Sequence, residues 1–238
     1  MELNKTDRKL AILIDPDKWS STDQMSDLVH GLNHSNVDLI LVGGSLITNN
    51  LFDKTIQYLK LHLNIPVIIF PGNGLQVSAK ADGILLLSLI SGRNPEFLIG
   101  QHVLAAPRIA SSGISVLPTG YLLIDGGKPT GASYMSATMP IPLDQSRIAA
   151  CTALAGEQLG MKAIYLDCGS GANNSVSIEM IETVSKCIKI PLIVGGGIRT
   201  ASDVVEKWNA GANIVVVGTA IEKDLNLLNN FAGLKEEI

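Results

Sequence analysis

Aromatic residues make up only 4% of this 238-residue chain and charged residues only 17%. Neither sign of charge dominates: 18 basic residues face 22 acidic ones, for a net charge of −4. That balance excludes the basic footprint of a nucleic-acid binder. No apolar run approaches the roughly 18–20 residues that a membrane helix needs. The three cysteines, Cys151, Cys168 and Cys187, are odd in number and lack Cys-x-x-Cys spacing. They exclude a disulfide framework and fit a reducing cytoplasm. The polar start, Met1 to Arg8, is not a signal peptide. Gly-x-Ser-x-Gly, His-Glu-x-x-His and Walker A sequences are all missing. His30 and His34 are four apart with no third ligand nearby, and His62 and His102 stand alone.

Aliphatic carbon is plentiful, with 46% of the residues hydrophobic. That content excludes disorder, because the chain has ample surface to bury against the entropy of ordering. The apolar runs are short and continuous: Leu10–Ile14, Leu39–Val42, Val67–Phe70, Ile84–Leu87, Ile114–Leu117, Ala163–Leu166, Leu192–Val194 and Ile214–Val217. Strands covered on both faces read this way. Between most of them the apolar spacing turns helical. Ser177–Ile188 aligns Ile178, Ile181, Val184 and Ile188, and Thr200–Ala210 aligns Val204, Val205 and Trp208. Eight strands alternating with helices predict an α/β fold, a (βα)8 TIM barrel, as one domain over residues 1–238. An echo at half length supports closure. Ile65-Pro66-Val67-Ile68-Ile69 and Ile190-Pro191-Leu192-Ile193-Val194 each lead into a Gly-rich turn.

Two segments fit the pattern poorly. Gly72–Lys80 has two glycines and an Asn in its first turn, which predicts an irregular third helix. Pro118–Leu143 holds four Gly and four Pro around a small apolar island, Tyr121–Ile124. A loop of that length predicts a lid or binding segment, the alternative being a disordered insertion.

Barrel sites are built at the C-terminal ends of the strands. Here those ends carry Asp15-Pro16-Asp17-Lys18, Gly43-Gly44-Ser45, Tyr165 to Gly171, Gly195-Gly196-Gly197-Ile198-Arg199 and Gly218-Thr219-Ala220. Gly-rich turns after strands 7 and 8 expose backbone N–H groups where this architecture holds phosphate. Two roles stand open for Asp15. It either caps the next segment or, with Ser45, ligates Mg²⁺, which takes few protein oxygens and leaves the rest to water and phosphate. Asp17 and Lys18 read as rim charges, and Cys168 as a small packing residue without a His to activate it.

Together these motifs resemble geranylgeranylglyceryl phosphate synthases, from about Leu10 to Asp224. The carriers are Ile14-Asp15-Pro16-Asp17-Lys18, Val42-Gly43-Gly44-Ser45, Tyr134-Met135-Ser136, Tyr165-Leu166-Asp167-Cys168-Gly169-Ser170-Gly171-Ala172, Val194 to Arg199 and Val217-Gly218-Thr219. The resemblance implies a Mg²⁺-dependent prenyltransferase that joins sn-glycerol 1-phosphate to a prenyl diphosphate and releases pyrophosphate. Asp15 and Ser45 would hold Mg²⁺. Tyr165, Leu166, Asp167, Cys168, Gly169, Ser170 and Gly171, with Gly196, Gly197, Gly218 and Thr219, would bind glycerol phosphate. Asp167 would take the hydroxyl proton and Tyr165 orient the glycerol. Phe97, near the start of the helix after strand 4, would close the prenyl groove. The chain departs from the family in carrying Asp167 where Glu is usual and Cys168 where Ala is usual. A homodimer or hexamer, and transient contact of the lipid product with a membrane, are implied as well. The rivals are another phosphate-binding barrel enzyme and a non-catalytic prenyl-lipid carrier.

Overall fold

All eight aliphatic runs become strands in the computed structural model of the chain, which describes residues 3–19, 22–231 and 233–234. Met1 and Glu2, the first residues of the polar start, lie outside the described residues. The strands are β1 (Lys9–Ile14), β2 (Leu39–Val42), β3 (Val67–Ile69), β4 (Gly83–Leu89), β5 (Ser115–Leu123), β6 (Ala163–Asp167), β7 (Leu192–Gly195) and β8 (Ile214–Val217). They pair in parallel in sequence order, and β1 closes the barrel by pairing with β8, Leu10 opposite Val215. Around them run α1 (Thr22–Asn33), α2 (Phe52–His62), α3 (Gln101–Ser112), α4 (Gly131–Ser136), α5 (Ser146–Gln158), α6 (Ile178–Cys187), α7 (Ala201–Asn209), α8 (Thr219–Lys223) and α9 (Leu227–Phe231). Among the described residues no helix is long and apolar enough to cross a membrane.

Strand alternation sorts the aliphatic carbon into two cores. Ala11, Leu41, Leu85, Tyr165, Ile193 and Val216 fill the barrel interior. Ile12, Ile40, Ile84, Leu166, Val194 and Val215 face outward beneath the helices. With both faces covered, no strand needs a polar side, which explains the unbroken runs. Helices α6 and α7 begin where their hydroxyl caps stand. The Ser177 side chain accepts from the Met180 N–H, and Thr200 with Asp203 forms a capping box.

The two poorly fitting segments differ from expectation. No helix, irregular or regular, joins β3 to β4; residues 70–82 run as turns. Gly72 passes so close to β2's end that a Cβ there would overlap the Gly44 carbonyl. The Gln76 amide bridges the same two strand ends, accepting from Gly72 N and donating to Gly44 O. Side chains thus satisfy backbone groups that a helix would have paired internally. Nor is 118–143 one long loop. The apolar island belongs to β5, which continues through Pro118 and Gly120 because β4 and β6 pair with it on either side, Leu86 opposite Pro118 and Leu123 opposite Asp167. Ile124 then bridges to Ile141, and the excursion between them contains α4.

Candidate active site

At the C-terminal end of the barrel, aromatic and polar side chains join the inward aliphatic ones. Phe70, Tyr121 and Tyr165 form a triangle, with ring centroids 5.3 Å apart for Phe70–Tyr165 and 5.6 Å for the edge-on pair Tyr121–Tyr165. Three of the chain's few aromatic rings therefore make the floor of one cavity of about 680 Å³.

The wall above that floor carries Asp167. The strand alternation that turns Tyr165 inward turns Asp167 inward too, where it is buried. Its Oδ2 accepts from the Tyr121 hydroxyl at 2.6 Å and its Oδ1 from the Gly169 N–H at 2.7 Å. Burial pushes the carboxyl above the usual carboxylate range, although both hydrogen bonds pull it back. Burial, then the charge of Asp167, pushes the Tyr121 and Tyr165 phenols well above their ordinary value. The phenols therefore stay protonated donors and the carboxyl is the group that exchanges a proton.

Beside it three loops converge. The Ser170 and Thr219 hydroxyls lie 2.9 Å apart, linking the turn after β6 to that after β8. Gly196 supplies the tight middle turn, at φ +82°, where a Cβ would sit 2.6 Å from Gly169 N. Arg199 donates to the Ala172 and Asn173 carbonyls, so its guanidinium braces the β6 loop. Across the cavity Asp15 is half-buried, and burial raises its carboxyl above the ordinary range; the Asp17 N–H and the Lys18 charge act against that, the charges of Glu222 and Asp17 with it. One of its oxygens accepts from Asp17 N. Ser45 shares that wall. Among the described residues no three His, Cys, Asp or Glu side chains cluster as a metal site. One carboxylate and one hydroxyl, both hard oxygen donors, fit a cation that takes most of its ligands from water and phosphate.

The residues expected in the site divide cleanly. Asp15, Ser45, Tyr165, Asp167, Gly169, Ser170, Gly171, Gly196, Gly197, Gly218 and Thr219 line the one cavity. Leu166 and Cys168 do not: strand alternation sends them into the outer core. Burial pushes the Cys168 thiol far above its ordinary value, so it is inert. Asp17 is occupied by Thr48 and Asn49, and Lys18 pairs with Glu222 at 2.9 Å. Phe97 lies in an adjoining apolar groove between residues 71–77, the end of β4 and α3, with Leu86, Leu89, Ala105 and Ile109. Gly44, Ser45, Phe70 and Tyr121 border both spaces. The groove follows the stretch where a third helix is missing. Sequence reasoning missed Tyr121 and Phe70. The period-2 spacing of Tyr121 and Leu123 was the available signal, masked by Pro118 and Gly120.

The profile of the PcrB family matches residues 3–234. The chain is similar to the geranylgeranylglyceryl phosphate synthase of Chitinophaga pinensis, 51% identical over 225 residues that cover 94% of this chain and 89% of the relative. It is also similar to that of Thermococcus kodakarensis, 42% identical over 213 residues, covering 89% and 83%. Among solved structures it superposes on the crystal structure of (S)-3-O-geranylgeranylglyceryl phosphate synthase from Thermoplasma acidophilum in complex with substrate sn-glycerol-1-phosphate. That match has a TM-score of 0.90 at 31% identity and covers 98% of this chain and 94% of the other.

Proposed function

This chain belongs to the PcrB family, and on that premise we propose that it transfers a prenyl group to the terminal hydroxyl of sn-glycerol 1-phosphate. The donor is geranylgeranyl diphosphate, pyrophosphate leaves, and the product is the first ether bond of a glycerol lipid. One barrel domain carries the whole reaction. The observation behind this reading is the buried Asp167 carboxylate in a turn-and-hydroxyl pocket that shares Ser45, Phe70 and Tyr121 with an apolar groove.

Glycerol phosphate lies with its phosphate at Ser170, Thr219 and the turns of Gly171, Gly196, Gly197 and Gly218. Neutral hydroxyl and N–H donors suit a phosphate there, since Arg199 is spent on the loop. Tyr165 orients the glycerol. Each oxygen of Asp167 keeps a free lone pair, and one of them accepts the hydroxyl proton as the glycerol oxygen bonds to the prenyl carbon. Holding both partners in place supplies much of the acceleration. Asp15 and Ser45 would hold Mg²⁺, which would supply charge neutralisation for the diphosphate leaving group. The prenyl tail follows the apolar groove, where burying twenty carbons is worth on the order of ten kcal/mol before ordering costs.

Free, unpaired cysteines support a cytoplasmic setting. Exposed apolar side chains on α3 (Val103, Leu104) and α5 (Ile148, Leu154) support a homodimer or hexamer. Leu46, Tyr134 and Met135 are exposed on the cavity rim and suit transient bilayer contact as the lipid leaves.

The test is turnover. With Mg²⁺ and geranylgeranyl diphosphate, product is expected from sn-glycerol 1-phosphate and none from the 3-phosphate enantiomer. Pyrophosphate release with neither would sink the proposal in favour of a non-catalytic lipid carrier.

A further inference from the structure

A single hydroxyl interrupts the apolar end of β4. Leu85, Leu87 and Leu89 face the barrel interior, while Ile84, Leu86 and Ser88 face outward. Ser88 is 7% exposed, and its Oγ donates to the Leu98 carbonyl at 2.8 Å. Leu98 belongs to a π turn, Glu96–Gly100, that leads into α3, with the Gln101 N–H bonded back to the Glu96 carbonyl. Such turns are less favourable than α-helix and persist where something holds them. The far side of this one is held as well. Asn94 donates to the Ser136 carbonyl of α4 at 2.8 Å while its Oδ1 accepts from Glu96 N.

A neighbouring imidazole lacks a bond that two others in the chain make. Just past the end of α1 and at the last residue of α2, the Nδ1 of His34 and of His62 each meet the carbonyl four residues back, at 2.8 Å. His102 stands four residues after Leu98, whose carbonyl receives Ser88 instead. Its Nδ1 is buried without a partner in the groove wall. Phe97, the residue before Leu98, lines the same groove, and Ser88 does not.

We infer that Ser88 is a positioning residue for prenyl specificity. Its hydrogen bond holds the π turn, the π turn sets how far the Phe97 ring enters the groove, and that depth sets the tail length accepted. The inference rests on the groove being the prenyl site.

The experiment compares kcat/KM for geranylgeranyl diphosphate with that for diphosphates one isoprene shorter and one longer. It uses wild type, Phe97→Ala, Ser88→Ala, Ser88→Thr and Ser88→Cys. Ser88→Ala is expected to shift the length preference about five- to tenfold, in the same direction as Phe97→Ala. Ser88→Thr retains the donor and the wild-type preference, and Ser88→Cys, a weak donor of similar volume, falls between. The KM for sn-glycerol 1-phosphate stays within about twofold of wild type, reporting an intact barrel. In Ser88→Ala the freed Leu98 carbonyl also captures His102, seen as a changed ring-nitrogen resonance. A shift in Phe97→Ala without one in Ser88→Ala overturns the inference and spares the groove. Equal shifts in Ser88→Ala and Ser88→Thr overturn it too, since the hydroxyl is then irrelevant. No shift in Phe97→Ala removes the prenyl assignment of the groove, and the inference with it.

Discussion

The carboxylate of Asp167 has one oxygen on the Gly169 N–H and the other on the Tyr121 phenol, in a buried place at the cavity wall. Its shorter reach, compared with the usual Glu of the family, is matched by a phenol that meets it. Because burial raises its folded pKa above the unfolded value, the folded state binds the proton more tightly. Its contribution to stability is therefore fully present below the ordinary carboxylate range and is lost as pH rises through the raised value. Asn at 167 carries no charge to bury, and its amide can still accept from Gly169 while donating to Tyr121. Asp167→Asn is thus expected to melt no lower than wild type at neutral pH, with a larger relative gain at pH 8 than at pH 4, while turnover falls at least about 100-fold. Thermal melts across pH and a steady-state assay read both. The same linkage gives the pH profile. The acid limb of kcat/KM lies above the ordinary carboxylate range, and Tyr121→Phe, which removes a bond that lowers the Asp167 pKa, moves that limb to higher pH.

Capping boxes start two elements of very different standing. Thr200 and Asp203 open α7, whose Val204 and Trp208 are buried in the helix layer. Thr130 and Ser133 open α4, six residues long and with only Ser136 buried. An isolated six-residue helix does not stand on its own. What places α4 is contact: Gly131 against Ser45, Thr130 against Gly169, and the Ser136 carbonyl on Asn94. Losing either cap costs about 0.5–2 kcal/mol locally. Thr200→Ala is expected to lower the global melting temperature by several degrees, about 2–4 °C per kcal/mol for a chain of this size. Thr130→Ala is expected to leave it nearly unchanged and to raise KM for both substrates, with faster amide exchange confined to α4. Equal melting losses in the two variants would mean that α4 is framework rather than part of the site.

Across the whole molecule, the missing helix between β3 and β4 is as consequential as the eight strands. A regular helix there would cover the apolar wall formed by β4 and α3; the turns of residues 70–82 leave a groove instead. On another part of the outer ring, Val103 and Leu104 on α3 and Ile148 and Leu154 on α5 meet solvent, Leu104 at 73% exposure. Such a density of exposed aliphatic side chains fits a face that another copy covers. Sedimentation of the wild type is expected to show a dimer or larger, and Leu104→Glu with Ile148→Glu a monomer. A monomeric wild type would remove the self-association reading.

Much of this was legible beforehand because it is written in neighbouring residues. Eight aliphatic runs, helical spacing in α6 and α7, and glycine and hydroxyl residues at strand ends are local patterns, set by side-chain period and turn chemistry. They sufficed for the barrel and for the strand ends that face the cavity, where Asp15 and Asp167 stand. Local pattern failed where a distant partner decides. Pro118 and Gly120 argue against a strand until β4 and β6 supply hydrogen bonds on both sides. Tyr121 becomes part of the site only through Asp167, 46 residues away. Leu166 and Cys168 share a motif with site residues yet turn outward, because side chains alternate across a strand. Sequence alone determined which chemistry collects at the barrel's rim. Only the tertiary structure decided which atoms meet there, since those meetings depend on pairing and packing between residues far apart in the chain.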